Sequence, residues 1–294
     1  MQVGMVGLGR MGANMARRLR EAGHDAVGYD AAPVPRDVGS LADLVTRLSP
    51  SRVVWTMVPA GAPTRQTIAD LGGLLEPGDI VIDGSNSRYT EAAPHAERLS
   101  TAGIGFIDCG VSGGVWGYQN GYPLMVGGAL EHVRAAQPIF DALRPAGEGG
   151  YVHAGGVGAG HFAKMVHNGI EYGLMQSYAE GWELLGSVGL VDDVTAVVKS
   201  WANGTMVRSW LLDLLIRALD AEPGLARVQG YAEDTGEGRW TVQTAMEHAV
   251  PLPTISAALH PRFSSRQEDP PAMKVIAALR NQIGGHPMRM TGDA

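Results

Sequence analysis

The sequence predicts an α/β protein: an N-terminal doubly wound sheet of the Rossmann type followed by an all-α C-terminal domain. Three observations predict it. An apolar run, a glycine turn and a helical pattern open the chain; short apolar runs ending in Gly- and Ser-rich loops recur as far as residue 157; and from Gly158 that pattern gives way to long segments of helical periodicity. The expected domains are residues 1–157, which bind a dinucleotide, and 158–294, which bind substrate and dimerise.

The first unit reads strand, turn, helix. Gln2 to Val6 is apolar, Gly7-Leu8-Gly9-Arg10-Met11-Gly12 follows, and the helical run after it is closed by Gly23. In that G-x-G-x-x-G, Gly7 permits the turn, Gly9 lets a pyrophosphate approach the backbone, and Gly12 lets helix and strand pack closely. The helix start then offers amide donors to the phosphates. The next strand, Asp25 to Tyr29, ends in Asp30, an acidic residue about 20 positions beyond the turn, as a dinucleotide site requires. A carboxylate there accepts hydrogen bonds from the adenosine ribose and repels a 2′-phosphate, and no arginine stands among Ala31, Ala32 and Pro33; Arg36 is the nearest. The expected cofactor is therefore NAD, with NADP disfavoured.

Further strands are expected over Arg52 to Val58, Ile80 to Asp83, Ile104 to Asp108 and Tyr122 to Val126. Loops that follow the strand ends of a parallel sheet line its ligand crevice. The segment containing Val58, Pro59 and Ala60, the loop containing Asn86, and the loop containing Ser112, Gly113 and Gly114 should thus converge with the glycine turn. In the second half, a long helix is expected from Gly158 to about Val188. Others follow over Val191 to Trp201, Val207 to Leu219, Thr241 to His248, Thr254 to Leu259 and Ala272 to Gln282.

Composition narrows the class. The 294 residues, 45% hydrophobic and 18% charged, suit two globular domains. The net charge of -7 disfavours a nucleic-acid or anionic-membrane partner, so an anionic substrate needs a local cluster of cations. Cys109 is the single cysteine, which excludes an internal disulfide and a Cys-rich metal site; it reads as a small buried filler. No metal-ligand cluster stands out, and no metal is expected. The opening MQVGMVGLG has no basic signal region and no apolar run reaches membrane-spanning length, so the expected location is the cytoplasm.

The helix opening GAGHFAKMVHNGIEYG (158–173) is unusual. Lys164, His167, Asn168 and Glu171 stand at i, i+3, i+4 and i+7 and share one stripe, while Phe162, Met165, Val166 and Ile170 are expected to cover the buried remainder. A polar stripe is ordinarily a solvated face. Four different polar types in register among apolar neighbours instead suggest a stripe turned toward a cleft.

These residues resemble a family, the decarboxylating 6-phosphogluconate dehydrogenases, in their short NAD-preferring form. GLGRMG (7–12), MVPAG (57–61), DGSNS (83–87), GVSGG (110–114), KMVHNGIEYG (164–173) and FSSR (263–266) stand in the family's order. GVSGG and the glycine turn are shared with the wider β-hydroxyacid dehydrogenases, whereas KMVHNGIEYG is more specific. The resemblance implies oxidation of the 3-hydroxyl of a sugar acid and decarboxylation of the resulting β-keto acid. It makes Lys164 the base, its pKa expected to be lowered by burial and by His167, and Glu171 the acid that protonates the enediol. Asn168 matches a residue on both substrate hydroxyl and nicotinamide. Asn86, Ser112, Gly113, Gly114 and His167 match substrate positions, with Asn86 also near the cofactor. Tyr172 and Arg262 match phosphate contacts. Arg280, Gly284 and His286 match an R-x-x-x-G-x-H segment that reaches in from the neighbouring subunit, implying a homodimer or larger homo-oligomer with a composite active site.

Two departures bear on substrate. Long members carry a phosphate-binding lysine in K-G-T-G-K-W, where this chain has Thr235-Gly236-Glu237-Gly238-Arg239-Trp240; Arg239 is the candidate replacement. Val115-Trp116 stands where long members have acidic residues. The alternatives are oxidation of another β-hydroxy or sugar acid, unphosphorylated in one version, and a non-catalytic dinucleotide-binding protein; the Lys164/Glu171 pair argues against the last.

Overall fold

The computed structural model describes residues 1–284, 286–287 and 289–290. The sheet half runs β1 (Gln2–Val6), α1 (Arg10–Glu21), β2 (Asp25–Tyr29), α2 (Leu41–Arg47), β3 (Val53–Thr56), α3 (Ala62–Leu74), β4 (Ile80–Asp83), α4 (Ala92–Thr101), β5 (Gly105–Val111), α5 (Gly117–Asn120), β6 (Leu124–Gly128), α6 (Leu130–Leu143) and β7 (Tyr151–Gly155). The helical half follows as α7 (Ala159–Ser187), α8 (Val194–Ser200), α9 (Trp210–Ala221), α10 (Glu237–Glu247), α11 (Pro253–Ser264) and α12 (Pro271–Gly284).

Among the described residues the sheet has the order β2-β1-β3-β4-β5-β6-β7. All neighbours pair in parallel except β5 and β6. Strands β3 and β4, VVWT and IVID, are buried at every position, because helices cover both faces of a parallel sheet. Val53, Trp55, Ile80 and Ile82 join one core with α1 and α6, and the alternate Val54 and Val81 join another with α2, α3 and α4. Trp55 meets Phe140 of α6 edge to face, ring centroids 5.8 Å apart. The chain steps from β1 outward to β2 and then crosses back past β1 to β3, and this reversal of direction opens a crevice at the C-terminal ends of β1 and β3.

Several boundaries differ from the sequence reading. Strand β5 runs past Asp108 to Val111 because an antiparallel ladder with β6 pairs Cys109 with Val126 and Val111 with Leu124. Strand β7, whose residues alternate half-buried and exposed at the sheet edge, carries no signal that the sequence reading used. Helix α11 does not stop at Leu259. It continues through Pro261, which forfeits one backbone hydrogen bond, and closes with the Ser265 amide donating to the Pro261 carbonyl at 2.8 Å. Cys109 is fully buried, and that burial pushes its thiol well above the usual cysteine range, leaving it neutral filler.

Contacts divide the chain into two compact units, Met1–His167 and Asn168–Ala294, and the division falls inside α7, ten residues beyond the 157/158 boundary read from composition. In the second unit Val198, Leu212 and Leu219 form one small core with Tyr178, Trp182 and Trp201 around it. Tyr172, Ala258 and Leu259 form another, with Val242 and Phe263. Trp210 is exposed, as are Met273, Ile276, Leu279 and Ile283 of α12. Among the described residues no helix is long and apolar enough to cross a membrane.

Candidate active site

In the first unit the glycine turn has the geometry its residue types require. Gly7 has φ +94, and a Cβ there would lie 2.5 Å from the Met57 carbonyl oxygen, so the turn rests directly on the β3 exit loop that continues into Val58, Pro59 and Ala60. A Cβ on Gly12 would lie 1.9 Å from the Gly7 carbonyl oxygen, so only glycine lets α1 start this close to β1. Above Gly9 a Cβ would meet nothing within 4 Å, which leaves open space beside the backbone where α1 begins. Helix α1 has no acidic residue in its first turn and no side-chain cap, so its amides, with Arg10 and Met11 beside them, are available to an anion. Asp30 braces the same turn: Oδ2 accepts from the Leu8 amide at 2.6 Å and Oδ1 from the Ala32 amide at 2.7 Å. Each carboxylate oxygen keeps a second lone pair for a ribose hydroxyl. The Arg36 guanidinium donates to the Asp30 carbonyl at 2.7 Å, so an arginine does stand at the rim of this carboxylate.

The start of α7 meets the end of β5 in the same unit. Lys164 Nζ lies 3.3 Å from Ser112 Oγ and 3.3 Å from His167 Nδ1. An ammonium there donates to both groups. Gly113 and Gly114, just beyond Ser112, have φ +100 and +51, a left-handed turn directly after the serine. Asn86 is exposed on its loop, while its neighbours Ser85 and Ser87 are buried and share a 2.7 Å hydrogen bond. One expectation is corrected: Met165 is buried, but Phe162 and Ile170 are 41% and 51% exposed, so these two apolar residues are less covered than Asn168 within the stripe.

In the second unit Asn168 is buried, and its Nδ2 donates to Glu237 Oε1 at 3.4 Å. Glu171 is half-buried on the same face of α7. The Arg262 guanidinium stacks 3.5 Å from the centre of the Tyr172 ring and donates to the Glu233 carbonyl. Burial pushes the Tyr172 phenol above its ordinary range, and its hydroxyl donates to Asp234 Oδ1 at 3.4 Å. Asp234 Oδ2 also takes Arg239 at 2.7 Å. The candidate replacement for the family lysine is thus already paired with a buried carboxylate. Arg280 is exposed on α12, and His286 is exposed, its carbonyl accepting from Asn281 at 3.0 Å; Gly285, between the described parts of that segment, lies outside the described residues.

The model of the NAD binding domain of 6-phosphogluconate dehydrogenase matches residues 2–147, and that of the 6-phosphogluconate dehydrogenase C-terminal domain matches residues 160–283. The chain belongs to the 6-phosphogluconate dehydrogenase family. It is 41% identical over 303 aligned residues, covering 100% of both chains, to the NAD(+)-dependent, decarboxylating 6-phosphogluconate dehydrogenase of Haloferax volcanii. To the Bacillus subtilis protein of the same name it is 32% identical, over 94% of this chain and 64% of that one. In fold it is similar to the Plasmodium falciparum 6-phosphogluconate dehydrogenase, with a TM-score of 0.83 at 24% identity, covering 100% of this chain and 67% of that chain.

The sequence marks Arg36 only as the arginine nearest Asp30 and assigns no role to Asp108, Asp234 or Glu237. Each acts on a partner that local pattern does not announce: a carbonyl, two helix amides, an arginine with a tyrosine, and the Asn168 amide. The acidic residues beside Gly236 carry the one usable signal, since two carboxylates stand where an anion-binding loop is expected.

Proposed function

We infer that the protein catalyses NAD-dependent oxidative decarboxylation of 6-phosphogluconate to ribulose 5-phosphate and CO2. The observation that carries the reading is Lys164 Nζ held 3.3 Å from both Ser112 Oγ and His167 Nδ1, on a helix whose next two turns bring Asn168 and Glu171 to the same face.

The residues available to NAD fit it: open space over Gly9, uncapped α1 amides and the Asp30 carboxylate at the ribose end, with Val58, Pro59, Ala60 and Asn86 on the adjoining loops. Bound there, NAD would supply the acceptor for the hydride lost from C3 of the substrate. Lys164, as a neutral amine, takes the 3-hydroxyl proton. The resulting ammonium then faces the 3-keto oxygen and stabilises the negative charge that builds as the C1–C2 bond breaks and CO2 leaves. Glu171 donates the proton that the enediol needs at the carbon that has lost CO2. Ser112 and the amides at Gly113 and Gly114 hold the substrate carboxylate, and His167 and Asn168 hold its hydroxyls. Arg262, stacked on Tyr172, is the cation offered to the phosphate.

Arg280 and His286 complete the phosphate end from a second subunit of a homodimer or larger homo-oligomer. The support is the exposed apolar row Met273, Ile276, Leu279 and Ile283 on the helix that carries Arg280. On mixing subunits, Arg280→Ala and Lys164→Met chains, each impaired alone, should regain activity, because each mixed dimer contains one complete site. Absence of recovery after verified exchange would count against the composite site.

The pairing of Arg239 with Asp234 favours one second reading, a related acid without the phosphate. Following NADH and CO2 with 6-phosphogluconate and gluconate in parallel, under NAD and under NADP, separates the two. The expected result is turnover of 6-phosphogluconate with NAD. Turnover of gluconate alone would overturn the substrate assignment.

A further inference from the structure

Residues 108, 110 and 112 alternate along the end of β5 and its continuation, so they share one side of the strand, and all three meet the first two turns of α7. Asp108 is fully buried; Oδ1 accepts from the Gly158 amide at 2.6 Å and Oδ2 from the His161 amide at 2.8 Å. Those are helix-start amides, which have no acceptor within their own helix. At Gly110 a Cβ would lie 2.3 Å from Lys164 Cβ and 2.9 Å from the Gly160 carbonyl oxygen, so helix and strand are in direct backbone contact. At the third position Ser112 Oγ receives Lys164 Nζ. The space around the carboxylate is fitted to it: a Cβ on Gly127 would lie 2.5 Å from Asp108 Oδ1, and one on Gly160 would lie 2.6 Å from the Asp108 carbonyl oxygen.

We propose that Asp108 is a positioning residue for the reaction, fixing how far α7 stands along β5 and how it is rotated, and thereby setting Lys164 Nζ against Ser112. The inference rests on Lys164 being the base. Two short bonds to amides three residues apart lock both the translation and the rotation of the helix start. Lys164 follows His161 by three residues, about one turn, so any slip passes almost undiminished to its ammonium. Misplacement of a reacting group by about 1 Å can cost about a hundredfold in rate. The same strand that presents Ser112 therefore also sets the position of the lysine that must meet it.

Full-length Asp108→Asn and Asp108→Ser proteins test this. Asn keeps the shape and one acceptor; Ser keeps one acceptor on a shorter arm. The expected kcat falls about tenfold to a hundredfold, more for Ser than for Asn, with KM for 6-phosphogluconate and the Kd for NAD each within about threefold of the parent. The deuterium isotope effect for substrate labelled at C3 should rise, because a misplaced base slows the proton and hydride step alone. A partly unfolded preparation would lower kcat without moving the isotope effect. Amide exchange at Gly158 and His161 reports the cap directly; lost protection with kcat and isotope effect unchanged would reduce Asp108 to a fold element and overturn the proposal. Should neither variant be recovered folded, Gly160→Ala leaves the carboxylate in place and presses a methyl against both β5 and β6; an isotope effect unchanged in that protein also overturns it. Lys164→Met, run alongside, separates the two levels: turnover retained there removes the base assignment itself, whatever the Asp108 variants do.

Discussion

Lys164→Met is expected to lower kcat with 6-phosphogluconate by at least about a thousandfold while leaving NAD binding within about twofold of the parent. Met keeps the length and apolar character of the side chain and removes the nitrogen. Two contributions go with it. Positioned proton transfer supplies about 10²–10⁴-fold, and a charge aimed at a developing oxyanion supplies about 10²–10³-fold. Because one nitrogen serves both steps, the losses do not simply multiply, and a thousandfold is the conservative expectation. NAD affinity, measured by titration of intrinsic fluorescence, should hold, since the glycine turn and Asp30 bond to each other and not to Lys164. Turnover reduced less than tenfold would assign the proton work elsewhere.

Asp30→Ser is expected to shift the ratio of kcat/KM for NADP over NAD by about a hundredfold to a thousandfold, equivalent to about 2.7–4 kcal/mol. The substitution removes the charge that repels a 2′-phosphate, and Arg36 already stands 2.7 Å from the residue's carbonyl, near enough to meet that phosphate. The shift has a cost. Asp30 Oδ2 and Oδ1 hold the amides of Leu8 and Ala32, and a serine cannot reach both, so NAD turnover should fall about tenfold as the turn loosens. Parallel kinetics with the two cofactors check both halves. A fall with NAD and no gain with NADP would make Asp30 a brace for the turn alone.

The sequence was most legible where backbone geometry demands a residue type. Gly7 and Gly12 admit no side chain at all, and their clashes with Met57 and with Gly7 itself are steric facts that a G-x-G-x-x-G spacing encodes. Strand direction was not legible: the apolar run at β6 reads the same whether it pairs parallel or antiparallel, and only the fold reveals that it reverses against β5 and lengthens it to Val111. Helical periodicity located the stripe of α7 but misjudged two of its apolar neighbours, because Phe162 and Ile170 are exposed where the pattern predicted cover. Buried carboxylates were the largest omission. Asp108 bonds to amides 50 and 53 residues away, and Asp234 to Tyr172, 62 residues away, distances at which local pattern carries no information.

Helix α7 is one unbroken run of 29 residues, and the division of the chain into compact units falls between His167 and Asn168, in the middle of the stripe. Along the helix Lys164 and Glu171 are seven residues apart, which at about 1.5 Å each is on the order of 10 Å of rise and almost two full turns. The backbone acts as a ruler with a fixed pitch. Substitutions can tune either end, but adding or deleting one residue between them would rotate one end by about 100° relative to the other and change the rise by about 1.5 Å. On the proposed mechanism, the spacing between proton removal at one carbon and proton return at another is gauged by main-chain hydrogen bonds, so in this segment length is held more tightly than composition.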